Sequence, residues 1–286
     1  MRNSFSNTVK TILKNPGLTI GLIVLGFFVL MAVFAPWLAP YPPDEMDLSR
    51  RLLAPGAISK AGTYHLFGTD SLGCDLLSKT IYGARVSLLV GCLGSVLAGI
   101  IGTALGSIAG YFGGMTDEFI MRIVDVGLSI PFVLLAMTIS MVMGAGLLNV
   151  VIVLCLTGWM QFARVTRGAV LKIKQEVFME AAQAYQCPPG RIIFRHLIPN
   201  LVAPIIVICS QQFGIMIYSE ATLSFLGFGV SINTPTWGRM ISDGQSYIAS
   251  SWWISTIPGI VLTAMVITAF LIGDGLRDYL DPRLMN

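Results

Sequence analysis

The sequence predicts an all-α, polytopic integral membrane protein with about six transmembrane helices. The chain of 286 residues is 55% hydrophobic and only 12% charged, about half the charged fraction of an ordinary soluble domain. Its mean hydropathy is +0.76. Long apolar runs alternate with short polar segments along the chain. These observations exclude a water-soluble globular protein of this size.

The first apolar run, residues 18–38, is long enough to cross a bilayer, which takes about 20 residues. The segment before it is polar and basic, so the amino terminus is expected in the cytoplasm. A cleaved signal peptide is the alternative, but its apolar region would be only about 7–15 residues long. An uncleaved anchor is therefore favoured. The basic residues of the preceding segment are Arg2, Lys10 and Lys14.

An external loop and three more spans follow the first helix. Prolines block regular structure in the loop, residues 39–77. Residues 86–111 carry six glycines, which allow close helix contacts in lipid. Residues 120–143 then return outward as one helix with Pro131 inside it, and residues 147–163 cross inward again.

The last two predicted spans are residues 201–227 and 254–272. Between them, residues 228–251 form a polar, glycine-rich external segment that could fold back toward the mouth of a pathway. Trp252 and Trp253 are predicted at the outer membrane interface, where amphipathic rings are favoured. Residues 273–283 are predicted to be a solvated helix end, which places both termini inside.

Two carboxylates fall within these predicted spans. Asp125 lies one helical turn from Arg122, so a local ion pair is expected rather than a proton site. Glu220 is a functional candidate, since a carboxylate in the membrane is costly unless it is used. It could pack by hydrogen bonding to a neighbouring helix, or it could line a translocation path.

Composition also narrows the chemistry. The five cysteines form no C-x-x-C pair, so neither a disulfide framework nor a zinc site is expected. The net charge of +3 gives no reason to expect a nucleic-acid partner. The sequence lacks the phosphate-binding G-x-x-x-x-G-K-[ST] pattern, so this chain is not expected to bind ATP in that way. Four potential metal ligands lie close together in the sequence, but their spacing fits no recurrent metal site, and they are predicted to lie in a solvated loop. They are His65, Asp70, Cys74 and Asp75.

The longest polar segment between spans is residues 164–200. Its excess of positive charge places it in the cytoplasm. Residues 170–185 contain no Gly or Pro and predict one helix, which Pro188, Pro189 and Gly190 break. A second short helix, residues 191–197, is expected to stop at Pro199. The charged residues of the segment are Arg164, Arg167, Lys172, Lys174, Glu176, Glu180, Arg191 and Arg195.

The sequence E-A-A at residues 180–182, followed by residues 191–200, resembles the E-A-A loop of the membrane subunits of bacterial ABC importers. The resemblance implies the type I importer transmembrane fold, with this loop as the coupling helix that sits in a groove of a separate ATPase subunit. Gln186 stands where the family usually has Gly, and Pro188 to Gly190 could supply the bend instead. The coupling residues implied are Glu180, Ala181, Ala182, Gln186, Gly190, Arg195, His196 and Pro199.

Four further stretches, residues 65–75, 81–88, 218–227 and 273–283, resemble the peptide and nickel importer subfamily. Within it, they resemble the subunit with a large first external loop. Cys74 departs from that pattern, which has Arg there. The resemblance implies an amino-terminal unit, residues 1–79, and a transmembrane core, residues 80–286.

The same resemblance implies a set of partners in a bacterial cytoplasmic membrane. They are a homologous permease subunit, two ATP-binding subunits that carry the ATP, and an extracytoplasmic substrate-binding protein. Peptides are the expected substrate, with nickel chelates or glutathione as alternatives.

Two other classes of function were weighed. A proton-coupled secondary transporter would use Glu220 or Asp125 as a relay, but about six spans are few for a complete carrier and no inverted repeat is visible. An intramembrane enzyme would need a nucleophile and a base inside the spans. Both histidines, His65 and His196, lie outside them, so no catalytic residue is expected.

Overall fold

A computed structural model describes residues 15–231 and 233–280. Within these residues, five helices are long and apolar enough to cross a membrane, and a bent pair makes a sixth if it counts as one span. The predicted all-α membrane fold is thus confirmed. The helices are α1 (Pro16–Val33), α2 (Ala35–Leu38), α3 (Leu76–Phe112), α4 (Gly114–Ser129), α5 (Phe132–Met143), α6 (Leu147–Ile173), α7 (Val177–Ala184), α8 (Pro189–Ile192), α9 (Ile198–Phe225), α10 (Trp237–Gly244) and α11 (Trp253–Leu280).

The core of the bundle is the packing of α3 along α6. A Cβ at Gly102 or Gly106 would collide with the backbone carbonyl oxygens of Trp159 and Ala163, so only glycine lets the two helices approach this closely. The glycine-rich face predicted for this span is therefore a helix contact. On the other side of the bundle, α9 packs on α11, and α11 packs on α1.

The predicted single helix over residues 120–143 is wrong. The two halves, α4 and α5, meet at 95°. Ile130 is extended (φ −83°, ψ 129°) because a residue before proline is disfavoured in the helical region. Pro131 therefore separates two helices and does not kink one.

Two helix ends also differ from the prediction. The third helix begins at Leu76 rather than at residue 86, because the Asp75 carboxylate accepts a hydrogen bond from the Ser78 N–H and caps it. The predicted solvated end, residues 273–283, is instead packed at its start. There, a Cβ at Gly275 would lie 2.5 Å from the Leu18 Cβ. The predictions for residues 1–14 and 281–283 lie outside the described residues.

The segment before α3, which is predicted to be external, is folded, and the prediction of a solvated loop is wrong. Strands β1 (Ala57–Ile58) and β2 (Tyr64–His65) pair antiparallel. His65 is fully buried, and its Nδ1 lies 2.8 Å from the Asp75 Oδ1. Lys79 pairs with Asp70 at 2.5 Å. Each buried charge therefore has a partner, and no group of three metal-ligating side chains occurs in the described part of the chain.

The second external segment, residues 228–251, packs on the spans. Helix α10 buries Trp237 completely, and its Nε1 donates to the Thr80 carbonyl at 3.0 Å. Trp253 is only 8% exposed and donates to the Thr69 carbonyl at 3.3 Å. Trp252 is half exposed, as expected for an interfacial ring. The two external segments thus form one layer over the bundle.

This burial determines how fast Cys74 should react with a membrane-impermeant thiol reagent. Cys74 is fully buried, and burial raises the pKa of its thiol above the ordinary value. We therefore expect little labelling of Cys74 from outside, with a rate that rises toward high pH, because the thiolate is the reactive form. Mass spectrometry of the labelled chain measures this rate.

A cysteine placed at the exposed Leu72 tests the topology instead. Leu72→Cys should label in intact cells, and Cys187, in the loop of residues 164–200, only after permeabilisation. The reverse order would invert the predicted orientation.

Candidate functional site

The site built by residues 164–200 begins where α6 ends. The predicted single helix over residues 170–185 is wrong, because a turn at residues 174–176 separates α6 from α7. Lys174 anchors this turn. Its Nζ donates to the carbonyls of Gly110 (3.3 Å) and Tyr111 (2.9 Å), near the end of α3. A cation there also complements the negative end of that helix.

Gln186 ends α7. Its φ is +51°, in the left-handed region that favours glycine. The Cys187 N–H then bonds back to the Ala182 carbonyl at 3.2 Å, which completes a Schellman cap. Gln186 therefore makes the turn in its own backbone, and the alternative that Pro188 to Gly190 supply the bend is wrong.

Replacing Gln186 with glycine is expected to strengthen this cap. A non-glycine residue in the left-handed region costs on the order of 1–3 kcal/mol, and Gln186→Gly removes most of that cost. The amides of α7 should then exchange with deuterium several-fold more slowly. Gln175→Gly is the matched control, because Gln175 does not have a positive φ and should gain nothing. Faster exchange in Gln186→Gly would contradict the assignment of the cap.

After this turn, the chain enters the next span as a continuous helix. Helix α8 continues through a π-helical turn, Ile193–Leu197, directly into α9. Pro199 lies in the first turn of α9, directly after the π-helical turn. The prediction that a short helix stops at Pro199 is therefore wrong. The second half of the loop is rigidly joined to a transmembrane helix.

One face of the loop packs into the protein. Ala182 is only 8% exposed and lies in an apolar cluster with residues from α6, α8 and α9. The small residue is thus needed for packing inside this chain, and its side chain does not face outward. The other buried members of the cluster are Val170, Met179, Ile192, Leu197 and Leu201.

The opposite face of α7 is exposed and mixed in character. Glu180 and Ala181 are exposed. Around them, three large apolar side chains are 79%, 41% and 85% exposed: Val177, Phe178 and Tyr185. We call these five residues the loop surface. An exposed apolar patch that includes one carboxylate is typical of a protein interaction site.

The remaining implied coupling residues lie in the second half of the loop. Gly190, Arg195 and Pro199 are exposed, and His196 is half buried. The structure therefore brings Glu180 and Ala181 together on one surface, turns Ala182 inward, and uses Gln186 for the bend.

Ion pairs hold α4 against the end of α6 that leads into the loop. Arg167 binds Asp117 through two hydrogen bonds of 2.5 and 2.6 Å, a bidentate geometry. Asp125 pairs with Arg164 of α6, so the predicted local pair of Asp125 with Arg122 is wrong. Arg122 instead lies 4.0 Å from Glu118 on the same helix, α4.

Glu220 is fully buried near the C-terminal end of α9. Its Oε1 accepts a hydrogen bond from Ser224 at 2.6 Å, and its Oε2 accepts one from Ser87 of α3 at 3.4 Å. The carboxylate thus joins two spans, and its lack of exposure favours the packing interpretation over the pathway one.

Comparison with protein families matches residues 102–286 to the family described as the inner membrane component of binding-protein-dependent transport systems. The chain belongs to this family. Residues 5–55 also match the N-terminal transmembrane domain of oligopeptide transport permease C. The protein is therefore a multi-pass membrane permease of a transport family, and not a member of an enzyme family.

Relatives of the permease match over almost the whole chain. This chain is 41% identical over 277 residues to the dipeptide transport system permease protein DppC of Alkalihalophilus pseudofirmus. The alignment covers 97% of this chain and 89% of the relative. The chain is 42% identical to the protein of the same name from Escherichia coli, over 95% of this chain and 90% of the relative. A di/tripeptide transport system permease protein of Pseudomonas aeruginosa is 39% identical over 95% of this chain and 90% of its own length.

The fold of the permease matches that of a solved importer. A chain of the MetNI methionine ABC transporter, in an inward-facing conformation, aligns with a TM-score of 0.60 at 17% identity. The alignment covers 72% of this chain and 98% of the other. The type I importer transmembrane fold implied by the resemblance is confirmed.

Some residues of the candidate site carry no signal in the sequence. Val177, Phe178 and Tyr185 read as ordinary apolar positions of a helix, and only the fold shows them exposed. Ser87 is distant in sequence from the carboxylate it binds, so Glu220 could be flagged but its partner could not.

Proposed function

We propose that the permease forms half of the translocation pathway of an ATP-driven importer for short peptides. The observation that carries the substrate class is the high identity, over nearly full length, to permeases named for dipeptide and di/tripeptide transport. Nickel chelates and glutathione remain alternatives, and none of these relatives is named for them.

The loop surface would seat a separate ATP-binding subunit. Its exposed apolar residues suit a protein groove, and Glu180 offers one charge to a basic partner. Lys174 links the loop to the end of α3, and the continuous helix links it to α9. A movement of the loop would therefore be transmitted to both spans. ATP would bind on the partner subunits, and this chain would hold none.

The complete importer would contain a homologous permease subunit, two ATP-binding subunits and an extracytoplasmic binding protein. The chain would lie in a bacterial cytoplasmic membrane with both termini inside, as the basic residues of the loop favour. The division into residues 1–79 and 80–286 stays a prediction. Because α3 begins at Leu76, we place the boundary there.

Uptake in cells that lack this subunit tests the substrate class. Cells carrying the gene on a plasmid should accumulate radiolabelled dipeptide, and cells without it should not. Labelled glutathione and ⁶³Ni²⁺ should enter both equally. Restored uptake of nickel or glutathione without dipeptide uptake would overturn the peptide assignment.

A further inference from the structure

The break between α4 and α5 lies inside a span, where it is costly. Ser129 ends one half and Phe132 begins the other, at 95° to it. The last carbonyls of α4 and the first N–H groups of α5 have no partner within their own helices. Hydrocarbon cannot satisfy them, so such a break is tolerated only against protein or a water-filled cavity.

A cavity of about 320 Å³ lies beside this break. The side chains that give it polar character are Ser129, from the break, and Thr157 and Gln161, from α6. Thr157 uses its hydroxyl within its own helix, where it donates to the Val153 carbonyl at 2.9 Å. Gln161 is exposed, and its carboxamide has no hydrogen-bond partner within residues 15–231 and 233–280.

Three polar side chains of α6 form one stripe. Thr157, Gln161 and Arg164 are spaced i, i+4 and i+7, so they share a helix face. Arg164 pairs with Asp125, and both are at least half exposed. An unpaired carboxamide in lipid would cost several kcal/mol. This face must therefore meet water or another polar surface.

The exposed face of α3 shows the contrast. After Arg85, its exposed large side chains are apolar, for example Leu93 at 46% and Ile100 at 63%. Such a face suits lipid or an apolar helix. The stripe on α6 and the break beside it are thus a more polar exposed surface than the face of α3.

We propose that the α4–α5 break and the α6 stripe form this chain's wall of the aqueous path, and that Gln161 binds the main chain of the passing peptide. This rests on the proposed function. A carboxamide both donates and accepts hydrogen bonds, so it matches the C=O and N–H of a peptide bond whatever the side chains. The Arg164 and Asp125 pair, with no net charge, lies one turn closer to the cytoplasm.

Cysteine labelling tests the wall. Gln161→Cys and Leu156→Cys are made in the full transporter after its native cysteines are replaced. Leu156 is a matched control, because it is 46% exposed on a different face of α6. A charged methanethiosulfonate reagent reacts only where water reaches the thiol. We expect labelling at least about tenfold faster at position 161, slowed by excess dipeptide during ATP turnover. Equal rates, or faster labelling at position 156, would overturn the proposal.

A second variant tests the contact with the peptide. Gln161→Leu should raise the dipeptide concentration for half-maximal uptake about three- to tenfold, the size expected for losing one neutral hydrogen bond. An unchanged half-maximal concentration would contradict the contact between Gln161 and the peptide, but not the assignment of the wall.

Dipeptide uptake by the wild-type transporter, reconstituted in vesicles, separates this proposal from the proposed function. If wild type imports dipeptide and position 161 is not labelled, the wall is wrong and the function stands. If wild type imports no dipeptide, the function is wrong, and the labelling still decides whether this face meets water.

Discussion

Replacing Glu180 with lysine is expected to abolish ATP-driven uptake while the permease stays folded and inserted. Glu180 is an exposed member of the loop surface, and no ion pair joins it to another described residue of this chain. The substitution therefore reverses a charge that only a partner would sense. Juxtaposed like charges across an interface cost several kcal/mol, enough to prevent docking. Copurification of the ATP-binding subunit and dipeptide uptake measure the effect.

Glu118→Lys is the matched control for this substitution. Glu118 is an exposed carboxylate in α4, outside the loop. Its reversal should leave uptake close to normal. Normal ATP-dependent uptake by Glu180→Lys, with the ATP-binding subunit still bound, would contradict the role of the loop surface. The earlier expectation that Ala182 lies in the partner's groove no longer holds, because its side chain faces the permease core.

Replacing Glu220 with leucine is expected to destabilise the bundle strongly. The carboxylate accepts hydrogen bonds from Ser224 and Ser87 and is fully buried. Leucine leaves both hydroxyls without an acceptor, at about 1–3 kcal/mol each. Glu220→Gln keeps one acceptor oxygen at similar volume and should be tolerated in part. The thermal unfolding of the purified complex should therefore rank wild type above Gln, and Gln above Leu.

The same residue discriminates the proton-coupled alternative. If Glu220 relayed protons, Gln would stop transport as completely as Leu, since both lack a titrating group. Uptake would also fall when an uncoupler was added at constant ATP. A folded Glu220→Gln variant with no transport would contradict the packing role.

The spans could be predicted because their signal is local. A run of about 20 apolar residues is long enough to cross the membrane and favours insertion into lipid. Basic residues in the loops indicate which side of the membrane each loop lies on. Pro131 shows the limit of such patterns. A proline within an apolar run is compatible with a kink or with a full break, and the packing of α4 and α5 on α6 decides between them.

Gln186 and His65 show two other limits. Glutamine has no preference for the left-handed region, so nothing in its identity marks the cap that its backbone makes. His65 and Asp75 read as solvated because they lie in a polar, proline-rich segment. Only the folding of that segment against the bundle buries the pair. The E-A-A loop could be located from its residues, but which of its side chains face outward could not.

Uptake by the reconstituted importer tests the central proposal most directly. Proteoliposomes containing this permease, its companion permease and the two ATP-binding subunits are loaded with ATP, and the binding protein with labelled dipeptide is added outside. We predict accumulation that requires ATP and is unchanged by an uncoupler. Accumulation without ATP, driven by an imposed proton gradient and stopped by the uncoupler, would contradict the proposal that this chain is half of an ATP-driven pathway.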